Sequence, residues 1–312
     1  MSKIIVLGDL NLDIILSGLQ DLPSFGREIL SRNCVLKPGG SAANVALMLA
    51  LNECPVRLFA QVGKDMAGEL LLKKLGEYGI DRSTVSQSPK EATGLTVALT
   101  FPEDRMYITY PGTVVRTRLE QLDDRYIEPG AHIHLTSYFL QASLRRDVGP
   151  ILRNARETGM STSLDPGGDT EGTWDITGLR KVLEFVDYFM PNSDEIKAMS
   201  GREELRSAIE EFPGEAEAII VKAGSHGALT RIHGKIEEHT ALKVRVVDTT
   251  CAGDSFDAGF LYGISRGETF QQAVRRGIEF GAQAVSTLGL PKEKIESFLS
   301  SHVSEEGPYA ID

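Results

Sequence analysis

The chain has 312 residues and a formal net charge of −11, and 41% of its residues are hydrophobic. This length suits one large domain or one domain with an appendage, and the composition is ordinary for a globular protein with an apolar core. The acidic balance argues against a general nucleic-acid or anionic-membrane surface, because both need clustered Lys and Arg. A small anionic ligand is not excluded, since a few local dipoles suffice to bind one.

The cysteines Cys34, Cys54 and Cys251 show no CxxC spacing, which argues against zinc and dithiol chemistry. Their odd, sparse number favours a reducing, cytoplasmic location. Asp9 and Asp13 interrupt the apolar N-terminus, and no clean cleavage site follows, so we interpret it as a buried first strand and not as a signal peptide. No apolar run reaches the roughly 18 residues that a membrane span needs.

Short apolar runs alternate with amphipathic stretches along most of the chain. The predicted strands are 3–9, 56–63, 131–137, 160–166, 186–192 and 218–224. The predicted helices are 41–51, 67–78, 145–158, 194–200, 253–265, 270–286 and 292–301. Runs that are apolar on both faces are typical of a parallel sheet covered by helices. We therefore predict an α/β fold whose ligand lies at the carboxyl ends of the strands.

Two regions, at about 13–37 and 92–111, break this rhythm. They contain REILSRNCVL, TGLTVALTF and DRMYITY, which alternate apolar and polar residues with no helix between them. Alternation of this kind is typical of a half-exposed antiparallel sheet. We expect a small β-sheet lid, built from two separate insertions into a single domain that spans residues 1–312.

Two motifs follow the first predicted strand. GDLNLD places Asn11 and Asp13 where they could bind adjacent sugar hydroxyls, although a turn with Asx hydrogen bonds explains them as well. KPGGSAANVA places Gly39 and Gly40 before a helix, with Ser41 as its expected N-cap and Asn44 in its first turn. Two glycines allow close approach of a ligand to the backbone, but a plain glycine turn is the stronger reading of this stretch alone.

Two further motifs follow buried strands. In PNSDE, Asn192 and Glu195 have the spacing of a capping box, and the same pair could organise water around a magnesium–phosphate group. In VKAGSHGA, a strand leads into a Gly-Ser-His-Gly turn that suits a nucleotide phosphate or ribose, and a plain hairpin explains it equally well.

The stretch DTTCAGDSFDAGF introduces a helix whose apolar spacing begins near Asp254. The first N–H groups of a helix have no internal partner, and the dipole is positive there, so Ala252 and Gly253 would let an oxyanion approach them. We expect Asp254 to stay ionised and to accept a proton from a neighbouring hydroxyl. An N-capping Asp after a loop is the competing structural explanation.

Several familiar signatures are absent from the sequence. It contains neither GxxxxGK[ST] nor GxGxxG, and neither GxSxG nor HExxH. Any phosphoryl transfer would therefore depend on an anion hole at a helix terminus.

Taken in order, GDLNLD, PGGSAANVA, GKDMAG, PNSDE, VKAGSHGA and DTTCAGDSFDAGF resemble the motifs of the ribokinase-like (PfkB) carbohydrate kinases. The resemblance extends from about residue 3 to 300. It implies a Rossmann-like three-layer α/β domain with a mostly parallel central sheet, a lid over the sugar, and phosphorylation of a sugar hydroxyl by ATP.

The resemblance also implies roles for individual residues. Asp254 matches the catalytic base, and Cys251, Ala252, Gly253 and Asp254 match the backbone anion hole. Sugar-holding positions match Asn11, Asp13, Gly39, Gly40 and Asn44. Asn192 and Glu195 match the motif tied to Mg²⁺ and phosphate, with Glu195 acting through water. The implied nucleotide site includes Lys222, Gly224, Ser225 and Gly227, and the implied K⁺ loop includes Asp248, Thr250, Ser286 and Gly289.

The sequence departs from the family pattern at three places. Cys251 stands where Gly or Ala is usual, and we expect the anion hole to survive with an oxidisable thiol beside it. Ser41 replaces the Lys typical of ribokinases proper, which weakens the case for ribose. In LDPGGDTEGTW, which resembles the DPNxR stretch of fructokinases and ketodeoxygluconate kinases, Gly167 and Asp169 replace Asn and Arg, which argues against an acidic sugar.

We therefore expect an ATP- and Mg²⁺-dependent kinase of a small neutral sugar, with no nucleic-acid or membrane partner. Arg105, Tyr107 and Tyr110 could contact the sugar from the lid, or the aromatic residues could serve packing. A nucleoside or phosphosugar kinase stays open, because Arg27, Arg32, Lys37 and Arg105 could form a cationic cluster, as does a non-catalytic sugar- or nucleotide-binding regulator. We expect a homodimer through the lid, burying Ile29, Val35 and Leu95.

Overall fold

The structure is a computed structural model that describes residues 1–22, 24–101, 105–118, 124–213, 215–287 and 289–302. Its strands are β1 (Ile4–Leu7), β2 (Asn11–Ser17), β3 (Asn33–Gly39), β4 (Val56–Gly63), β5 (Val85–Ser88), β6 (Gly94–Thr100), β7 (Arg105–Tyr110), β8 (His132–Leu135), β9 (Ser161–Leu164), β10 (Tyr188–Phe189), β11 (Ala218–Lys222), β12 (Ala228–Ile232) and β13 (Lys235–His239).

The helices complete an alternating βα chain. They are α1 (Ser41–Leu51), α2 (Met66–Glu77), α3 (Arg145–Glu157), α4 (Ile176–Leu183), α5 (Ser193–Ser200), α6 (Leu205–Glu210), α7 (Ala252–Ser265), α8 (Phe270–Val285) and α9 (Ile295–His302). Short 3₁₀ turns lie at Gly112–Arg116, Asp124–Tyr126 and Gly224–His226. Within the described residues, no helix has the length and apolar character needed to cross a membrane.

The large sheet has the strand order β13-β12-β11-β10-β9-β8-β1-β4-β5. All neighbours from β11 to β5 are parallel, and β12 and β13 extend one edge in antiparallel fashion. Alternate residues of β1 pack into different cores: Ile4 and Val6 join one apolar cluster, whereas Ile5 and Leu7 join the other. A sheet with an apolar layer on each face confirms the predicted α/β fold.

A separate small sheet has the order β3-β2-β6-β7. Its register places Asn11 and Asp13 of β2 on one face, beside Thr96 of β6. The opposite face carries Leu12, Ile14 and Leu16 of β2, and their cross-strand partners on β3, β6 and β7 include Leu36, Leu95, Val97, Leu99, Met106, Ile108 and Tyr110. We call this second side the apolar face.

Several details of the small sheet differ from the sequence prediction. Asn11 and Asp13 lie within strand β2 and not in a turn after β1. Strand β3 begins at Asn33, so the predicted strand over 27–36 is wrong for residues 27–32, including Ile29. Val35 and Leu95 point to opposite faces, because Val35 pairs with Ile15 whereas Leu95 pairs with Leu12. The three residues therefore do not share one apolar surface.

Candidate active site

A cleft of about 420 Å³ lies between the polar face of the small sheet and the carboxyl ends of the strands in the large sheet. Asn11, Asp13 and Thr96 line it from the small sheet. The other side of the cleft is lined by residues at or just beyond the carboxyl ends of β9, β10 and β11, and by the first turn of α7. They include Asp165, Asn192, Glu195, Lys222, Gly253 and Asp254. Predicted site residues from distant parts of the chain thus meet in one cavity.

The two glycines of KPGGSAANVA make room for acidic and amide side chains. A Cβ at Gly39 would lie 2.1 Å from a carboxylate oxygen of Asp13. Gly40 has φ = 96°, and a Cβ there would lie 2.7 Å from the carbonyl oxygen of Asp9. Gly40, and not Ser41, is the N-cap of α1, and the Asp9 carboxylate accepts hydrogen bonds from the N–H groups of Ser41 and Ala42. This close packing requires glycine at positions 39 and 40, independently of any contact with a ligand.

Asn11 and Asp13 are linked on the cleft side of β2. The Asn11 amide donates to Asp13 Oδ1 at 2.8 Å and to Thr96 Oγ1 at 3.2 Å. Burial raises the pKa of Asp13, while the nearby Lys37 acts in the opposite direction. The pair therefore presents an amide and a carboxylate side by side, which can donate to and accept from neighbouring hydroxyls.

Asp254 and Asn44 join the first turns of α7 and α1. Asn44 Nδ2 donates to Asp254 Oδ2 at 2.8 Å. The Asn44 side chain is buried, and its Oδ1 accepts no hydrogen bond from the described residues. Burial raises the pKa of Asp254 to about 6, although the Asn44 hydrogen bond opposes the shift. The carboxyl is therefore a far stronger proton acceptor than an ordinary Asp, and it titrates close to neutrality.

The N-terminus of α7 offers backbone donors to the cleft. Cys251 is its N-cap, with φ = 62°, and the Ala252 N–H points to the Thr249 carbonyl at 3.4 Å. Among the described residues, the N–H groups of Gly253 and Asp254 have no backbone partner. They are the donors that an oxyanion in the cleft would meet.

Asn192 and Glu195 form the capping box of α5 that the sequence predicts. Asn192 Oδ1 accepts from the N–H groups of Asp194 and Glu195, and the Asn192 N–H donates to Glu195 Oε2 at 2.8 Å. Burial and the Asp165 charge raise the pKa of Glu195 to about 7. The Glu195 carboxylate is half-buried and lines the cleft. One of its oxygens caps α5, so its second oxygen could contact a hydrated Mg²⁺.

Lys222 lies in a buried triad with two carboxylates that sequence reasoning did not select. Its ammonium group donates to Asp165 Oδ2 at 2.5 Å and to Asp257 Oδ2 at 3.0 Å. Burial alone would lower the pKa of Lys222, but the two carboxylates outweigh it and raise that pKa above its usual range. Burial raises the pKa of Asp257. At Asp165 burial acts in the same direction, but the Lys222 charge and the hydrogen bonds of the triad outweigh it, so the pKa of Asp165 is lowered.

The turn after Lys222 is the hairpin between β11 and β12. Gly224 and Ser225 are exposed, whereas Gly227 is buried with φ = 85°. A Cβ at Gly227 would lie 1.9 Å from the His239 carbonyl oxygen, so packing against the chain after β13 accounts for that glycine. The described residues that line the cleft include Lys222 but none of these three.

The predicted cation loop is closed by Asp248. Its carboxylate accepts from the Thr250 N–H and hydroxyl, and from the Gly289 N–H at 3.1 Å. Ser286 is the C-cap of α8, and its hydroxyl donates to the Ala282 carbonyl. Across the described residues, no cluster of three or more His, Cys, Asp or Glu side chains is arranged to hold a metal ion.

Comparison with known proteins assigns the family. The family model described as pfkB family carbohydrate kinase matches residues 1–294. The chain belongs to this family. It is an ATP-dependent sugar kinase.

Proteins similar to this pfkB kinase include ribokinases and a phosphosugar kinase. A ribokinase of Lactococcus lactis subsp. lactis is 26% identical over 305 residues, covering 94% of this chain and 95% of that protein. An ATP-dependent ribose-1-phosphate kinase of Halopiger xanaduensis is 30% identical over 266 residues, covering 84% of each. The structure of Arabidopsis thaliana ribokinase complexed with ribose and ATP is similar in fold, with a TM-score of 0.84 at 24% identity, over 97% of this chain and 99% of that one.

Two observations bear on how this pfkB kinase departs from the family pattern. Cys251, which stands where Gly or Ala is usual, has a left-handed backbone conformation that favours Gly and not Ala. Burial, reinforced by the Asp254 charge, raises the pKa of the Cys251 thiol to about 12, so the thiol is less reactive than the sequence suggests.

Arg105 lies in β7, and its side chain is outside the described part of the structure.

Three acidic residues of the site were not predicted from the sequence: Asp9, Asp165 and Asp257. Asp9 stands in GDLNLD, Asp165 in LDPGGDTEGTW and Asp257 in DTTCAGDSFDAGF, so all three lie inside stretches described above. A signal for Asp257 was available, because it follows Asp254 by three residues and therefore shares its helix face.

Proposed function

We propose that this kinase transfers the γ-phosphoryl group of ATP to a hydroxyl of a small neutral sugar, with Asp254 as the general base. The hydroxyl would lie beside the Asp254 carboxylate, which accepts its proton as the new O–P bond forms and the bond to ADP breaks. The N–H groups of Gly253 and Asp254 would stabilise charge on the phosphoryl oxygens. The observation that carries the proposal is a proton acceptor and an anion hole on the same helix turn.

The charge of the cleft favours a neutral substrate. Asp9, Asp13, Asp165, Glu195 and Asp254 all line it, and Lys222, already paired with two carboxylates, is the one Lys or Arg among its described lining residues. A sugar that carries a carboxylate or phosphate would meet these like charges, and Lys37, which acts on Asp13, is not among the lining residues that the structure describes. Asn11, Asp13 and Asn44 offer the neutral and acidic hydrogen-bonding groups that sugar hydroxyls need.

ATP and Mg²⁺ are the proposed cofactors. The Arabidopsis thaliana relative has been solved with ATP, which supports the same nucleotide here. The residues present fit a hydrated Mg²⁺ near Glu195, because its carboxylate lines the cleft and uses one oxygen for the helix cap. When bound, the ion would neutralise charge on the phosphates that approach an otherwise acidic wall.

We extend the proposal to the lid and to potassium. The small sheet would close over the sugar, and its apolar face would pair with that of a second copy, since Leu36, Met106, Ile108 and Tyr110 are each about half exposed or more. The loop joined by Asp248 and Gly289 would hold K⁺ behind the anion hole. Equal rates in sodium-only and potassium buffers would contradict the potassium proposal.

A substrate panel monitored by ADP release tests the proposed function. Neutral sugars, phosphosugars and nucleosides are each supplied with ATP and Mg²⁺. We expect turnover with a neutral sugar and much less with any anionic analogue. Preferential use of a phosphosugar or nucleoside would overturn the substrate class, and ligand binding without ADP release from any compound would favour a non-catalytic regulator.

A further inference from the structure

We propose that Lys222 is a catalytic residue whose ammonium group completes the anion hole at the start of α7, and that Asp257 is a positioning residue which, with Asp165, aims it. This inference rests on the proposed kinase function and deepens it. In this role the Lys222 ammonium group contacts the γ-phosphoryl group while it is being transferred, in addition to any contact with bound nucleotide.

The position of Lys222 is the first support. Its side chain lines the cleft beside Gly253, Asp254 and Glu195. A Cβ built on Gly253 would lie 3.7 Å from Lys222 Nζ, so the ammonium group lies close to the backbone donors of the first helical turn. Because Gly253 has no side chain, nothing of that residue stands between the ammonium group and the cleft. A phosphoryl group bound at the Gly253 N–H would lie within reach of Lys222.

The partners of Lys222 are the second support. The ammonium nitrogen lies 2.5 Å from Asp165 Oδ2, and 3.2 and 3.0 Å from the two carboxylate oxygens of Asp257. One proton shared between the two Asp257 oxygens and one on Asp165 leave the third proton for a phosphoryl oxygen in the cleft. Asp165 follows β9, Lys222 ends β11 and Asp257 belongs to α7, so the triad ties two strands to the helix that carries Asp254. Their side chains are at most 9% exposed. A long, flexible side chain is thereby held in one direction before substrate arrives.

The chemistry of phosphoryl transfer is the third support. Charge spreads over the phosphoryl oxygens in the transition state, and a preorganised cation there stabilises it more than it stabilises bound ATP. The remaining charged lining residues of the described cleft are acidic. Lys222 is therefore the protein cation placed to offset that charge. The alternative is that Lys222 only neutralises two buried carboxylates and serves folding.

A charge-matched double variant separates the two roles. Lys222→Met alone removes the ammonium group but leaves Asp165 and Asp257 facing each other, which threatens folding. In Lys222→Met/Asp257→Asn, Asp165 is the one ionised member left, so the triad keeps its formal charge of −1. Asp257→Asn alone keeps the ammonium group on Asp165. Thermal unfolding midpoints of all three variants report the structural role.

The kinetic result decides the proposal. We expect kcat to fall about 10²- to 10³-fold in Lys222→Met and in the double variant, with sugar KM and ADP affinity changed less than about threefold. Asp257→Asn alone should lose no more than about tenfold. If the double variant folds and retains kcat within about threefold of the unmodified chain, Lys222 has only a structural role and the proposal is wrong.

A binding readout keeps this test separate from that of the proposed function. The affinity of ADP with aluminium fluoride and Mg²⁺, a mimic of the transferring phosphoryl group, is compared with that of ADP by calorimetry. We expect the double variant to lose about 10²-fold or more for the mimic and little for ADP. Equal losses for both would overturn the proposal. This comparison decides the role of Lys222 even if no sugar in the panel is phosphorylated.

Discussion

Asn44 donates a hydrogen bond to Asp254 at 2.8 Å across two helices whose sequence positions are far apart. The bond connects a residue of the glycine motif with the proposed general base. The hydrogen bond stabilises the ionised Asp254 carboxylate, whereas burial favours the neutral acid. Burial has the larger effect, and it raises the pKa of Asp254 to about 6. Asn44 thus helps to keep Asp254 available as a base in an environment that otherwise disfavours its charge.

Asp254→Asn should lose activity and gain stability. Without a proton acceptor, kcat should fall about 10²- to 10⁴-fold, whereas ADP should bind as before. The raised pKa of Asp254 contributes stability that is present below the ordinary carboxyl pKa and is lost as the pH rises through about 6. Removing the charge should therefore stabilise the fold at pH 7, by at most about 3 kcal/mol because the carboxyl still faces the cleft.

Single-turnover kinetics and denaturant unfolding at pH 7 and pH 4 check this prediction. The stability gain of Asp254→Asn should be present at pH 7 and small at pH 4, where the native carboxyl is already protonated. Near-normal turnover on the sugar would remove Asp254 from the role of base.

The pH dependence of activity should report the Asn44–Asp254 bond. Asp254 must be ionised to accept a proton, so kcat should decline about tenfold per pH unit below a pH of about 6. Asn44→Ala removes a hydrogen bond that lowers this pKa, and the decline should then begin at a higher pH. The quantity to measure is the pH below which kcat declines, and not the maximal value of kcat. An unmoved limb in Asn44→Ala would show that another group titrates in this range.

The periodicity of the sequence predicted most of the large sheet and its helices, because elements such as β4 and α1 are long, apolar and bounded by clear turns, but it did not predict the short helices α4 and α6. It predicted poorly what depends on contact between distant segments. The triad of Asp165, Lys222 and Asp257 comes from three elements, and no local spacing marks it. Likewise, Gly40 is the N-cap of α1, and the capping hydrogen bonds expected from Ser41 come from the Asp9 carboxylate in the loop between β1 and β2, a tertiary contact that local capping rules do not predict.

Glu195→Gln should separate the structural and functional roles of Glu195. Glutamine can take the place of glutamate in a capping box, and it removes a carboxylate whose pKa burial raises to about 7, so the free energy of unfolding at pH 7 should not fall. The proposed Mg²⁺ site would lose its carboxylate, and the Mg²⁺ concentration for half-maximal rate should rise about 10- to 100-fold. Titrations of rate with Mg²⁺ and denaturant unfolding measure the two effects.

Asn192→Ala is the matched control for this capping box. It removes the side chain that accepts from the Asp194 and Glu195 N–H groups and should cost about 1 kcal/mol of stability. If Glu195→Gln loses as much stability as Asn192→Ala and its own Mg²⁺ requirement is unchanged, Glu195 acts only as a cap.

Ile108→Lys should dissociate the proposed dimer. Ile108 is 64% exposed on the apolar face, in the middle of the edge strand β7 and opposite Val97 on β6. A charge there would be buried without a partner when two faces meet, and it would cost little on a monomer. Light scattering at several concentrations reports the mass. A chain that is already monomeric without the substitution would contradict pairing through this face.

Cys251→Gly and Cys251→Ala should differ in stability although both remove the thiol. The residue at 251 has φ = 62°, a conformation that costs a non-glycine residue roughly 1–2 kcal/mol. Glycine escapes this cost but loses part of the gain through a more flexible unfolded chain. We therefore expect the glycine variant to be the more stable of the two by roughly 0.5–1 kcal/mol in denaturant unfolding. Equal stabilities would mean that the backbone at 251 is not left-handed in solution.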